Sequence, residues 1–350
     1  MELSAYTRSL LEDLERRIDP ETEDDFQAQW IRYWEGKHEE MIFRPMRKNP
    51  VAPGVELKKI HINDALENYE LMLDMQLIDA SRRLASTGDA PGVRANYGTG
   101  IMTTLFGAEV FVMPREMATL PTTRSFNDTD IIHRIVDAGA PDLYNGFGKD
   151  VFHFGEMCAE IFKDYPKIQK YVPVFHPDTQ GPLDVAELLW GGEMFYEMYD
   201  DPDFVHQVMR LVTDTYKRFL DHWYTIIPKR EGYNVHWQWI HPGTIMLRDD
   251  SAMNLSPELY KEFAFPYDNE LLTYYGGECV HFCGRGDHYI DILTAAKDLT
   301  CFNMSQPHLN NLDVIYGAMH RTGKRILGLK ADAAAEYAKR PDAKVSMIHS

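Results

Sequence analysis

Positive charge and cysteine are both scarce in this chain. Lysine and arginine total 36 against 54 aspartates and glutamates, a formal net charge of −18. Nucleic-acid phosphates need a basic surface, so this balance argues against a nucleic-acid partner. An anionic membrane surface is disfavoured for the same reason. Four cysteines in 350 residues are too few for a disulfide framework, so a reducing cytoplasm is the expected compartment. No run reaches the ~18 consecutive apolar residues of a membrane-spanning helix. The opening MELSAYTRSLLEDLERRIDPETEDD holds no apolar stretch long enough for a signal peptide. No G-x-G-x-x-G opens a helix after a strand, and no Walker phosphate loop or G-x-S-x-G elbow occurs. No fixed-period repeat and no low-complexity linker is visible.

What is present is a large apolar fraction, 44%, enough for a sizeable core. Residues 1–40 read as charged helix, with Phe26, Trp30, Ile31 and Trp34 at helical spacing. INDALENYELMLDMQLIDASRRLAS reads as one amphipathic helix capped by Asn63 or Asp64. RANYGTGIMTTLFGAEVFV is glycine-punctuated and strand-like, and YNVHWQWIHPG reads as a strand with a loop. From about residue 171 strands and helices alternate, which implies a parallel sheet with helical crossovers. The expected fold is therefore α/β, a (β/α)8 TIM barrel with an N-terminal helical extension, in preference to an open doubly wound sheet. The expected division is an arm at 1–60 and the barrel at 61–350.

Cys279–Cys283 reads as a short buried strand broken by Gly284, Arg285 and Gly286, with Asp287 capping the following helix. Side chains alternate along a strand, so His281 and Cys283 share a face. Both stand at its carboxyl end, where a barrel keeps its active site. A histidine and a cysteine so placed can ligate one zinc ion, although H-x-C is half a site. The plain alternative is a buried thiol beside a hydrogen-bonded core histidine. Cys158, Cys279 and Cys301 read as packing residues.

Other polar groups fall in the loops after strands. Asp178 and Gln180 lie in HPDTQGP at an expected barrel mouth, or simply serve a cap and turn. Arg248, Asp249 and Asp250 form a cluster able to bind polar substrate or to cap a loop. HWQWIH sets His236, Gln238 and Ile240 on one face. Asn96 and Tyr97 open NYGTG, whose glycines allow close backbone approach to a ligand or a simple turn. Ser305, Gln306 and His308 are possible polar lining after the next strand.

The ordered segments QGPLDVAELLWGGEMFYEMYDDPDFVHQVM, DDSAMNLSPELYKEFAFPYDNELL and VHFCGRGDHYIDIL resemble the uroporphyrinogen decarboxylase superfamily over roughly residues 90–350. The resemblance is strongest to its cobamide-dependent methyltransferase branch. It implies a (β/α)8 barrel in which an H-x-C pair and a later cysteine bind zinc. The zinc activates a thiol for methyl transfer from a methylated corrinoid. His281 and Cys283 match the first two ligand positions. The arginine-rich N-terminal motif of the true decarboxylases is absent, so porphyrinogen decarboxylation is not expected. No cysteine follows Cys301, and His349 stands near the place of the third ligand.

The resulting expectation is a cytoplasmic zinc-dependent methyltransferase. A corrinoid protein would be its partner and a thiol or folate its small-molecule methyl acceptor. His281, Cys283 and His349 would hold the metal. Asp178 and Asp249 would orient substrate or a ligand histidine. Asn96, Tyr97, Gln180, His236, Gln238, Ser305 and Gln306 would contact substrate. The rivals are a metal-free barrel decarboxylase or lyase and a non-catalytic corrinoid-binding partner.

Overall fold

A computed structural model describes residues 2–350, and Glu278 by its backbone alone. Two helices open the chain, Ala5–Arg17 and Pro20–Trp34. Ser4 caps the first by accepting the Thr7 N–H, and Asp19 caps the second by accepting that of Thr22, with Pro20 in its first turn. Both are tied to the body by buried charge. Arg17 donates to the Ser81 hydroxyl, and Arg47 pairs with Glu23 at 2.6 Å. Trp30 is fully buried and Trp34 Nε1 donates to the Ile240 carbonyl.

The strands in chain order are β1 (Ile42–Phe43), β2 (Val110–Phe111), β3 (Thr122–Thr123), β4 (Tyr233–His236), β5 (Trp239–Pro242), β6 (Met246–Arg248), β7 (Glu278–Phe282), β8 (Leu299–Met304), β9 (Arg325–Ile326) and β10 (Ile348–His349). Six of them form one sheet in the order β1-β10-β9-β8-β7-β6, with every pairing parallel. The molecule is thus an α/β protein built on a parallel sheet. The segment 1–60, expected to be a helical arm, also carries β1. A further parallel bridge joins Val93 to Val174. Buried β8, with Leu299, Cys301, Phe302 and Met304 all near zero exposure, has the continuous apolar character of a strand covered on both faces. The long helix Pro202–Ile226 buries Phe204, Val208, Val212, Phe219 and Trp223 along one side, as 3.6-residue spacing requires. Among the described residues no helix is long and apolar enough to cross a membrane.

Four local expectations are corrected. YNVHWQWIHPG is a hairpin: β4 and β5 pair antiparallel with His236 opposite Trp239. His236, Gln238 and Ile240 therefore do not share one strand face. Trp237 makes the reversal at φ +51°, a conformation that favours glycine, and no turn-forming residue announced it. The helix expected from Ile62 is broken in two, because Asn68 accepts the N–H groups of Glu70 and Leu71 and starts a new helix, Tyr69–Leu84. RANYGTGIMTTLFGAEVFV is mostly not strand; Ile101–Leu105 is helical and only Val110–Phe111 pairs. Its Gly98 sits at φ +79°, where a Cβ would lie 2.2 Å from the Pro121 carbonyl oxygen, so this glycine serves chain packing. Lastly, Asp287 does not cap Ile290–Thr294; its carboxylate accepts the Asn311 N–H and pairs with Arg285.

Candidate metal centre

β6 and β7 run parallel with Arg248 beside His281. Two residues further along each chain stand Asp250 and Cys283. Alternation turns His281 and Cys283 to one side, and Asp250, in helical backbone just past β6, meets them there. One ligand atom from each lies within 4.8 Å of the others. His281 Nε2 is 3.4 Å from Cys283 Sγ and 3.5 Å from Asp250 Oδ1.

The surroundings hold the three side chains in orientations a cation could use. His281 Nδ1–H donates to Asn303 Oδ1 on β8, and Asn303 Nδ2 donates to the Leu327 carbonyl at 2.6 Å. The Asn303 orientation therefore fixes the imidazole tautomer and leaves the Nε2 lone pair free. Burial lowers the His281 pKa, against the attraction of Asp250, which keeps the ring neutral and able to ligate. Burial pushes the Cys283 thiol up to about 12, with Asp250 adding to the effect, so the bare thiol holds its proton. A bound cation reverses that preference, because a coordinated thiol ionises. Asp250 Oδ1 is buried with no hydrogen-bond partner among the described residues. An oxygen, a nitrogen and a sulfur donor suit zinc.

The Cys283 turn is braced from β8. Ser305 Oγ donates to Cys283 Sγ at 3.1 Å, and Gln306 Oε1 accepts the Gly284 N–H at 2.6 Å. Gly284 is at φ +70°, and a Cβ there would meet Met253 Sδ. Asp184 Oδ2 and Oδ1 accept the N–H groups of Asp250 and Ser251 at 3.0 and 2.7 Å and hold the other side of the site.

Asp249 has the opposite parity to Asp250 and points away from this space. It lies buried against Asp268 and Tyr260, with Asp184 close by. Burial and mutual repulsion push Asp184, Asp249 and Asp268 well above the usual carboxylate range. Asp178 lies elsewhere in the interior, between Arg248 and Arg94 at 2.9 and 3.4 Å, and Gln180 Nε2 donates to it at 2.6 Å. His236 bonds Arg248. Trp237 sets its edge against His281, with ring centroids 4.9 Å apart. Gln238 lies in the hairpin turn, where its carbonyl accepts the Ala90 N–H.

Three expected site residues are placed otherwise. Tyr97 is fully buried in the core, against Phe147. Asn96 neighbours it in the chain, and its Oδ1 is buried without a partner among the described residues. His349 lies outside this group, and the third residue beside His281 and Cys283 is Asp250. The His349 ring instead packs on Trp30, and its Nδ1 accepts the Gly328 N–H at 3.0 Å. The rings of Trp237 and Trp239 run between His281 and His349.

The sequence matches no protein-family profile and no curated protein. Among solved structures there is a clear likeness. The fold is similar to that of a methyltransferase from Methanosarcina mazei. The TM-score is 0.64 over 93% of this chain and 92% of that one, at 14% sequence identity. At that identity the likeness establishes a shared fold across nearly the whole chain.

Proposed function

We propose that this protein is a zinc-dependent methyltransferase that moves a methyl group between a corrinoid on a partner protein and a small thiol or folate acceptor. The observation that carries the reading is the convergence of Asp250, His281 and Cys283, with His281 Nε2 freed by Asn303. The shared fold with a methyltransferase supports it. A zinc ion bound there would lower the pKa of an acceptor thiol and supply a thiolate near neutral pH. Ser305 and Gln306 hold the Cys283 turn in place, and Asp184 holds the Asp250 backbone. Trp237 walls the site beside His281. Asp178, Gln180 and His236 form the polar ground on which substrate is oriented.

The same reading includes a closed barrel. It is supported by the pairing of the first strand, β1, with the last, β10, and by the parallel bridge between Val93 and Val174. In a closed (β/α)8 barrel the metal group would sit at the carboxyl ends of β6 and β7, the catalytic face of that fold. The test is direct. Protein purified without chelator is assayed for zinc, then mixed with a methylated corrinoid protein and a thiol or folate while the cobalt absorption spectrum is followed. Demethylation that requires both the metal and an acceptor is the expected result. A metal-loaded protein inert with every acceptor would end the proposal.

A further inference from the structure

A cavity of about 180 Å³ lies at the other end of β6 from the metal group. Thr244, two residues before that strand, lines it, whereas Asp250 stands two residues beyond the strand's end. Most of the wall is apolar, from Ala159, Phe162, Phe175, Tyr224, Ile227 and Val235. An apolar cavity of about 150 Å³ is already large enough to take a benzene ring. His176 also reaches the wall, but both its ring nitrogens are engaged. Nε2 accepts the Met246 N–H at 3.0 Å, and Nδ1–H donates to the Pro177 carbonyl at 2.8 Å.

One charge at this cavity is not balanced. Arg230 lines it and is half-buried, and among the described residues no carboxylate pairs with it. Its guanidinium donates to the Lys170 carbonyl and, at 3.5 Å, to that of Gln169. Both bonds use Nη2, so among the described residues Nε and Nη1 have no protein partner. Burial lowers the Arg230 pKa, and no neighbouring charge opposes the effect. The other cations on this side are provided for. Lys163 and Lys170 pair with Glu160 and Asp24, and exposed Lys229 lies over the rings of Tyr224 and Tyr275, 5.0 Å from each. Asn234 steadies the segment that carries Arg230, since its Nδ2 donates to the Arg230 carbonyl at 3.3 Å and to the Gly243 carbonyl at 2.5 Å. A partly desolvated charge held in this way is costly unless an anion meets it.

We propose that this cavity binds a small aromatic monocarboxylate, with its ring among Phe162, Phe175 and Tyr224 and its carboxylate on Arg230. A single unbalanced guanidinium requires a monoanion, and its fork suits two carboxylate oxygens. The apolar wall requires a ring or a body of similar character. The volume admits one ring with its carboxylate and falls short of the 300 Å³ or so that larger ligands occupy. β6 lies between this cavity and the metal group, so the site is separate from the methyltransferase reading and does not rest on it.

Calorimetry would titrate the purified protein with benzoate and with benzamide, its neutral counterpart. Benzoate should bind with a Kd of about 1 mM or tighter, and benzamide roughly tenfold more weakly. Loading the protein with zinc or stripping it should change neither affinity. Arg230→Gln should erase the preference for the anion. Arg230→Lys, which keeps the charge and loses the fork, should leave an intermediate preference. Ala159→Leu fills part of the cavity and should weaken both ligands by about tenfold. If that variant does not fold, the two Arg230 variants still decide the matter. Absence of benzoate binding, equal affinity for benzoate and benzamide, or a dependence on zinc would overturn the proposal. So would a preference that survives Arg230→Gln, because the carboxylate would then be held at another place, such as Arg248.

Discussion

His281 and Asn303 face each other across β7 and β8, and one hydrogen bond from Nδ1–H to Oδ1 decides which imidazole nitrogen is free. Asn303 is itself held by the Leu327 carbonyl, so its amide cannot turn over without losing that bond. Asn303→Ala should therefore release the ring and lower zinc affinity by about 10- to 100-fold. Asn303→Asp keeps an acceptor at the same place and should recover most of the loss. Competition with a chelator of known affinity measures both. Equal affinity in Asn303→Ala and wild type would mean that the ring is oriented by other groups.

Two substitutions separate the donors. Asp250→Asn removes a charged oxygen from the group and should weaken zinc binding by at least tenfold. His349→Gln should leave zinc affinity within about twofold, because that ring is engaged with Trp30 and Gly328. It should instead lower stability by about 1–3 kcal/mol, the usual cost of disturbing a buried hydrogen-bonded group. The opposite outcome, zinc lost with His349 and kept without the Asp250 carboxylate, would restore the C-terminal residue as the third ligand.

The difference between these two residues shows what a single sequence reveals. H-x-C before a glycine turn was legible because alternation needs only local spacing. Asp250 was visible in RDD, but its role depends on the register that sets Arg248 beside His281. That register brings Asp250 alongside Cys283 and turns Asp249 into the carboxylate cluster. The alternation of strands and helices made the parallel sheet readable. The β4–β5 hairpin stayed hidden because Trp237 and Gln238 carry no turn signature. Arg94 drew no notice, since its ion pair forms only when Asp178, some eighty positions later, folds against it.

Acid should unfold the protein through its buried histidines. Burial holds His176 and His349 at about 3 and His241 at about 4, against an ordinary value of 6.5. A depressed folded-state pKa gives stability that is fully present above the unfolded value. That stability is lost as pH falls below about 6.5 toward the folded value. Each such histidine contributes a slope of up to about 1.4 kcal/mol per pH unit. Denaturant melts of wild type and His349→Gln between pH 7 and 4 should differ in slope by about one proton, the variant losing less stability toward acid. An unchanged slope in that variant would show that this histidine already protonates in the folded state.

The buried carboxyls contribute the opposite dependence. Asp268 is enclosed with Asp249 and Asp184, and burial and mutual repulsion raise all three. A carboxyl whose folded pKa is raised gives stability that is present below the unfolded value, about 4, and lost as pH climbs through the raised one. Stability from this cluster should therefore decline as pH rises above about 4, until the raised values are passed. Asp268→Asn replaces one acid by a neutral group of the same shape and removes one titrating member of the cluster. It should flatten the decline by about one proton and raise stability at pH 8 by about 1–2 kcal/mol. The gain should vanish near pH 4, where the wild-type group is protonated in any case. If Asp268→Asn instead destabilises the protein at pH 8, the Asp268 charge is compensated in the folded protein, and a bound cation becomes the explanation to test by repeating the melts after chelation.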